Sequence, residues 1–401
     1  MKRSYAKALI PFLYLYCFAS ICDGQVIWER SHLDHIRTAK PVAGTPIGDA
    51  LSRLRMLADK ALQESPRSVT EKRIKPPSGD LHDYQSFSRY WWPDPNQPDG
   101  LPYIRKDGVV NRKLLAQGDR NRLGEFMDDV QALALAGHLF NDKRYSQHAA
   151  KIVRVWFLDD DTKMNPNLNF SQGVPGRAHG RGPGIIDTRG FMFVLDSVEL
   201  LEATEWSPEN QQALQTWFKE FVGWLQTDKL GLHESAAKNN HGSWYDAQLA
   251  RYALFAGDLE LSKAVVETAK TKRIANQFDG DGNQHEELKR TRSLHYSMFN
   301  LTALTTLARV GDKVGVNLWE FTPEHGCGLQ KSLEQLLPYL GGESKWQHPQ
   351  LEPYTLSRSA HMMLSMFANH FSDPKFKDVV ANTKLRHPEL DYTTLLIGVP
   401  E

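Results

Sequence analysis

From about residue 45 to about residue 371 the apolar residues of this chain recur at helical spacing, and almost nowhere do they alternate. That pattern leaves room for little but packed helices. Thr45-Pro46 sets a capping hydroxyl ahead of a proline whose missing N–H costs nothing in a first turn. Ile47, Leu51, Leu54, Leu57 and Leu62 then form one apolar stripe, and Ser207-Pro208 repeats the same start signal. Further helices are expected over 123–140, 145–157, 191–203, 208–225, 244–255, 259–275, 294–310, 329–340 and 356–371. Only a hairpin near 101–110 reads as β structure. Roughly ten helices with short connectors and no heptads predict an all-α fold, antiparallel pairs wrapped into a toroid or incomplete (α/α) barrel. No unit recurs at a fixed period, which disfavours a regular solenoid.

Two segments interrupt the helical period. Residues 76–112 are rich in Pro, Gly, Asp and aromatics, and residues 162–190 in Gly, Asn and Arg. Stretches this long are functional loops or disordered ones, and the Trp and Tyr of the first argue against disorder. The expectation is one domain over 25–401 with two elaborate loops across its mouth. Ahead of it, Lys2, Arg3 and Lys7 precede an apolar run over 8–21 and the polar Asp23-Gly24-Gln25. This is the layout of a secretory signal peptide over 1–24, too short for a comfortable transmembrane segment. Export to a bacterial periplasm or cell surface is expected, with a lipid anchor through Cys22 as a weaker alternative. Without the leader, Cys327 and at most Cys22 remain, so neither a disulfide framework nor a cysteine metal site is available.

Four constellations carry chemistry. Asn239-Asn240-His241, ahead of a helix expected to begin near Ser243, offers amides and an imidazole. Arg290, Arg292, His295 and Tyr296 precede the stripe Met298, Leu301, Leu304 and Leu307. Arg292 and Tyr296 share a face of a continuous helix, whereas Arg290 reaches that face only if the helix starts late or is distorted. Between Asp80 and Tyr103 lie Tyr84, Tyr90, Trp91 and Trp92, rings on which sugars can stack. The glycine-rich run over 172–189 holds Arg177, Arg181 and Arg189, whose planar forks suit carboxylates better than a phosphate cradle. Each has an ordinary structural reading too: caps, core tyrosines, loop anchors. His82, Asp83 and His285 show no ligand spacing, so no metal is expected.

Lysine and arginine total 48 against 48 aspartates and glutamates, so the chain as a whole has no field to draw in a polyanion. An anionic ligand would require the cations to be gathered in a cleft. Amides, guanidinium, imidazole and phenol together suit β-elimination from a uronic-acid polymer: hold the carboxylate, remove the proton beside it, protonate the leaving oxygen. An inverting glycoside hydrolase would instead need two opposed carboxylates, for which Asp83, Asp187, Glu234 and Glu287 are candidates. A non-catalytic glycan binder would need only the aromatic platform.

In order along the chain, Asp83-Tyr84, Tyr90-Trp91-Trp92-Pro93-Asp94-Pro95, Asp99-Gly100-Leu101-Pro102-Tyr103, Lys238-Asn239-Asn240-His241-Gly242-Ser243-Trp244-Tyr245-Asp246 and Arg290-Thr291-Arg292-Ser293-Leu294-His295-Tyr296 resemble the alginate lyase superfamily. Among its branches the chain is most similar to polysaccharide lyase family 38 and more distantly to family 5. The resemblance runs over about 76–310. It implies an (α/α) toroid and cleavage of 1,4-linked uronates without a required metal or other cofactor. It places the catalytic Asn and His on Asn240 and His241 and the catalytic Tyr on Tyr296. Family 5 has its catalytic Arg seven residues before the Tyr, where this chain has Lys289. The Glu-Leu-x-Arg context points to Arg290, with Arg292 as the alternative. Tyr84, Trp91, Trp92, Arg181 and Trp244 are the candidate sugar contacts. The partner implied is an anionic polysaccharide, alginate or a related polyuronate such as glucuronan, and no nucleic acid.

Overall fold

The computed structural model of the protein describes residues 25–39, 41–342 and 344–398. The expected signal peptide lies outside the described residues. The helices that frame the fold among the described residues are α1 (Arg30–Ala39), α2 (Pro46–Gln63), α3 (Arg120–Phe140), α4 (Lys143–Phe157), α5 (Phe191–Val198), α6 (Pro208–Thr227), α7 (Lys229–Ser235), α8 (Asn240–Phe255), α9 (Leu259–Ala269), α10 (His285–Leu288), α11 (Ser293–Val314), α12 (Leu329–Leu340), α13 (Arg358–Phe371) and α14 (Pro374–Asn382), with shorter turns of helix between some of them. The start signals act as expected. Thr45 Oγ1 accepts from Gly48 N at 3.1 Å, and Ser207 Oγ accepts from Asn210 N at 3.3 Å. Asn141 and Gly315 end α3 and α11 in the left-handed region, where neither pays the penalty of a bulky side chain.

Successive helices pair, α3 with α4 and α8 with α9, and α8 packs on α11, which packs on α12 and α13. The pairs wind into an (α/α) toroid around one contiguous apolar core running from Val26 to Ile397. Among the described residues no helix is long and apolar enough to cross a membrane.

Two sequence expectations are revised. The helix expected over 259–275 stops at Ala269, where Lys270–Ile274 widens into a π turn. The wider turn carries Arg273 inward, where Asp246 and two backbone carbonyls take its donors. The hairpin expected within 101–110 is instead formed by β2 (Trp91–Trp92) and β3 (Ile104–Arg105), antiparallel across a longer connection.

The interrupting segments are ordered by polar contacts. β1 (Gln85–Phe87) of the first lies parallel to β4 (Phe170–Gly173) of the second, Gln85 opposite Phe170. Beneath them Asp187 is buried. It accepts from Tyr84 Oη at 3.1 Å, Ser86 Oγ at 2.6 Å, Gln172 Nε2 at 2.9 Å and Arg120 Nη1. Asp119, just before α3, takes Gln85 N at 2.9 Å and Lys72 Nζ at 3.1 Å. Both loops are thereby fixed over one end of the toroid. Replacing Asp187 with Ala strips four donors of their acceptor and leaves the Arg120 charge unpaired. Urea denaturation of Asp187→Ala is expected to show a loss of about 3–5 kcal/mol.

Candidate active site

A cleft of about 570 Å³ opens between the two loops and the N-terminal ends of α8 and α11. Arg89, Arg105, Arg120, Arg181, Arg189, Lys289, Arg290, Arg292 and Arg386 line it, against one carboxylate, Glu286. The neutral chain thus concentrates its cations where an anionic ligand would need them.

The first catalytic candidates sit at the start of α8. The helix begins at Asn240, three residues earlier than expected, because Asn239 caps it by accepting from His241 N at 3.2 Å. The segment before it is clamped from behind. Arg273 donates to Ala237 O at 2.5 Å and Ser235 O at 2.8 Å, and pairs with Asp246 at 2.7 Å. Gly242 makes room for this clamp, since a Cβ there would lie 2.1 Å from Ala237 O and 2.3 Å from Arg273 Nη1. His241 Nδ1 sits 2.6 Å from Glu234 Oε1, which leaves Nε2 as the nitrogen available to the cleft. Asn240 is 0% exposed; its N and Nδ2 donate to the two oxygens of Glu287 at 2.6 and 2.8 Å. Burial raises the Glu287 carboxyl to about 7.

The second group comes from the start of α11. α10 ends at Leu288 and α11 begins only at Ser293, so the helix does start late, as Arg290 requires. The Arg290 guanidinium lies 3.8 Å from the centre of the Tyr296 ring. Asp107, from the first loop, holds it through Nη2 at 3.0 Å. Burial would raise the Asp107 carboxyl, but hydrogen bonds from Arg290 and Arg105 outweigh it and keep Asp107 well below the usual range. Arg292 also lines the cleft and pairs with Glu352 at 3.3 Å. Beside it, burial and the Arg292 charge push His295 down to about 3, so its ring is neutral.

Tyr296 Oη meets Tyr90 Oη at 2.9 Å. Burial raises the Tyr296 phenol above its ordinary range, and the neighbouring Tyr90 adds to this, while Arg290 opposes it. Tyr90 is shifted down: burial is outweighed by the hydrogen bond with Tyr296 and the charge of Arg89. One proton lost from this pair leaves one negative charge with the remaining hydrogen between two oxygens.

The sugar-contact candidates divide. Arg181 and Trp91 line the cleft, with the Arg181 and Arg177 guanidiniums 5.6 and 5.3 Å from the Trp91 ring centre. Trp92 does not line it; its Nε1 donates to Val109 O at 3.0 Å and ties the first loop together. Tyr84 is 0% exposed and spends its hydroxyl on Asp187, so it anchors a loop and cannot touch sugar. Trp244, 1% exposed, points into the core against Phe299. Tyr90 was the ring to single out, but its partner is 206 residues away and no local pattern marks the pair. The carboxylates that a hydrolase would use are committed elsewhere. Asp83 takes Ser78, Asn165 and Asn167, Asp187 anchors the loops, and Glu234 and Glu287 back His241 and Asn240.

A helical toroid with a cationic cleft suits a polysaccharide lyase, and the family match places the chain in that class. Residues 68–346 match the family model described as Alginate lyase, and the chain belongs to that family. Among solved structures it resembles an alginate lyase from Bacteroides ovatus at 34% identity and a TM-score of 0.87, over 94% of this chain and 99% of that one. Alginate lyase A1-III from Sphingomonas species A1 shares the fold at 14% identity and a TM-score of 0.55, over 94% and 99%. A histidine-to-alanine variant of alginate lyase A1-III, complexed with a tetrasaccharide, gives 14% and 0.58 over 91% and 99%. Among curated proteins no relative matches the chain.

The clamp behind α8 yields a direct check. Gly242→Ala is expected to lower stability by about 1–3 kcal/mol in chemical denaturation, as overpacking does, with turnover falling because the start of α8 shifts.

Proposed function

We propose that the protein cleaves 1,4-linked uronate polymers, alginate or a related polyuronate such as glucuronan, by β-elimination. The observation that carries this reading is the Tyr296–Tyr90 phenol pair beneath Arg290, in one cationic cleft with His241 backed by Glu234. The tetrasaccharide complexed with the A1-III variant of the same fold supports a saccharide ligand.

The difficult step is removal of the C5 proton, because the adjacent carboxylate resists a second negative charge. Arg290 and Asn240 are assigned to that carboxylate, lowering the cost of the enolate-like intermediate. Tyr296 is the acid–base group. Shared hydrogen bonding with Tyr90 and the Arg290 charge make one phenolate of the pair accessible despite burial. For syn elimination Tyr296 takes the C5 proton as its own hydrogen passes to the Tyr90 oxygen, then gives a proton to the O4 leaving oxygen and regains its hydrogen from Tyr90. For anti elimination His241 Nε2, facing the other side of the sugar, takes the proton and Tyr296 supplies the acid. One site can in this way serve both C5 epimers. We further propose that the enzyme is exported, on the strength of its basic, apolar and small-residue leader.

Ultraviolet absorbance of the new C4=C5 bond, followed on polymannuronate, polyguluronate and glucuronan, tests the reaction and names the polymer. Tyr296→Phe is expected to lose about 100- to 10,000-fold in kcat. His241→Ala should fall most on the polymer that requires anti elimination. Activity retained in both variants would sink the mechanism. Of the two arginines, Arg290→Ala is expected to cost about 100-fold or more in kcat, and Arg292→Ala to act mainly on KM.

A further inference from the structure

A carboxylate stands directly behind the amide assigned to hold the substrate's carboxylate. Glu287 is 1% exposed and Asn240 0% exposed, and both Glu287 oxygens accept from Asn240. With Nδ2 turned to Glu287, the amide's other end is Oδ1, buried and without a hydrogen-bond partner. An orphaned buried acceptor is uncommon and calls for an explanation. A carbonyl oxygen in a cleft wall would also repel a uronate carboxylate. So would Glu287 itself, since two carboxylates flanking one buried amide cannot both stay ionised cheaply.

We propose that Glu287 is a proton-linked positioning residue: it takes a proton from solvent when a uronate carboxylate occupies the cleft, donates that O–H to Asn240 Oδ1, and so turns Nδ2 to the substrate. The Asn240 amide needs only a half-turn about its terminal torsion, which exchanges its two ends. That turn gives the orphaned Oδ1 a donor and frees the amide hydrogens for the anion. The backbone N–H of Asn240 keeps its bond to the other Glu287 oxygen. The charged or titratable groups facing Glu287 are Arg290 on its own segment and His241 on α8, and both favour its ionised form. Burial outweighs them and holds the group at about 7, so the proton costs little near neutrality. An arriving anion raises it further. Binding therefore weakens as pH climbs above that value, because the proton must then be drawn from a scarcer supply.

This rests on the lyase reading, and one set of measurements separates the two. Titration calorimetry of Tyr296→Phe protein with oligosaccharides of the polymer the wild type degrades, in buffers of different ionisation enthalpy, reads proton uptake. At about pH 7.5 roughly half a proton or more per bound ligand is expected. Adding Glu287→Gln, which cannot ionise but can donate to Oδ1, should abolish the uptake. In kinetics, wild-type KM should rise toward about tenfold per pH unit on the alkaline side, and the KM of Glu287→Gln should stay flat. Glu287→Ala, with no donor for Oδ1, should lose about 100-fold in kcat/KM at every pH. No uptake in the Tyr296→Phe protein, or uptake unchanged by Glu287→Gln, overturns the inference while wild-type turnover leaves the lyase reading standing. A wild type inactive on all three polymers overturns both.

Discussion

Asp187 takes its charge out of water and is repaid by four donors that come from three parts of the chain. A buried carboxylate is tolerable only when its lone pairs are filled, so the two loops and α3 must come together or the charge is stranded. That requirement orders segments which have little apolar surface to bury for themselves. It also places the cleft: Tyr84 and Ser86 fix the base of the first loop, from which Tyr90 and Asp107 reach Tyr296 and Arg290. The same ion pair holds Arg120 in the cleft lining.

Around the reacting groups the protein repeats one device. Three of the four candidate catalytic side chains are held from behind by a carboxylate, His241 by Glu234, Asn240 by Glu287 and Arg290 by Asp107, while Tyr296 is held by the Tyr90 phenol. These carboxylates fix the orientation of their partners and temper a cleft that would otherwise hold many like charges at close range. Arg189 shows what happens without one. Among the described residues no carboxylate pairs with it, and burial lowers it to about 10, with Arg120 and Arg89 contributing.

Much of this was legible in the sequence, for physical reasons that differ by region. Helical period and cap-plus-proline signals are local, so α2 and α6 start where Thr45 and Ser207 say they do. The late start of α11 could be posed as a condition on Arg290 but not decided, because the break after Leu288 depends on tertiary contacts. Motif resemblance led to Asn240, His241 and Tyr296, whose chain order is fixed. The aromatic contacts were harder. Tyr84, Trp92 and Trp244 have the composition of a sugar platform, yet each is spent on a loop anchor or the core, and ring type alone cannot tell these uses apart. The Tyr90–Tyr296 pair and the Arg273 clamp span distances in sequence that no period or spacing encodes.

The gathering of cations into one cleft has a counterpart elsewhere on the molecule. Because the chain is neutral overall, the positive charge of the groove is balanced within the molecule, in part by the carboxylates that stand directly behind it. A polyanion then meets its strongest attraction at one opening and no net pull from the molecule as a whole. Long acidic polymers adsorb readily to any basic surface, and an enzyme coated in its substrate would spend its time in unproductive encounters. Gathering nine cations in the groove of an otherwise balanced chain favours adsorption there, so that capture and correct seating draw together.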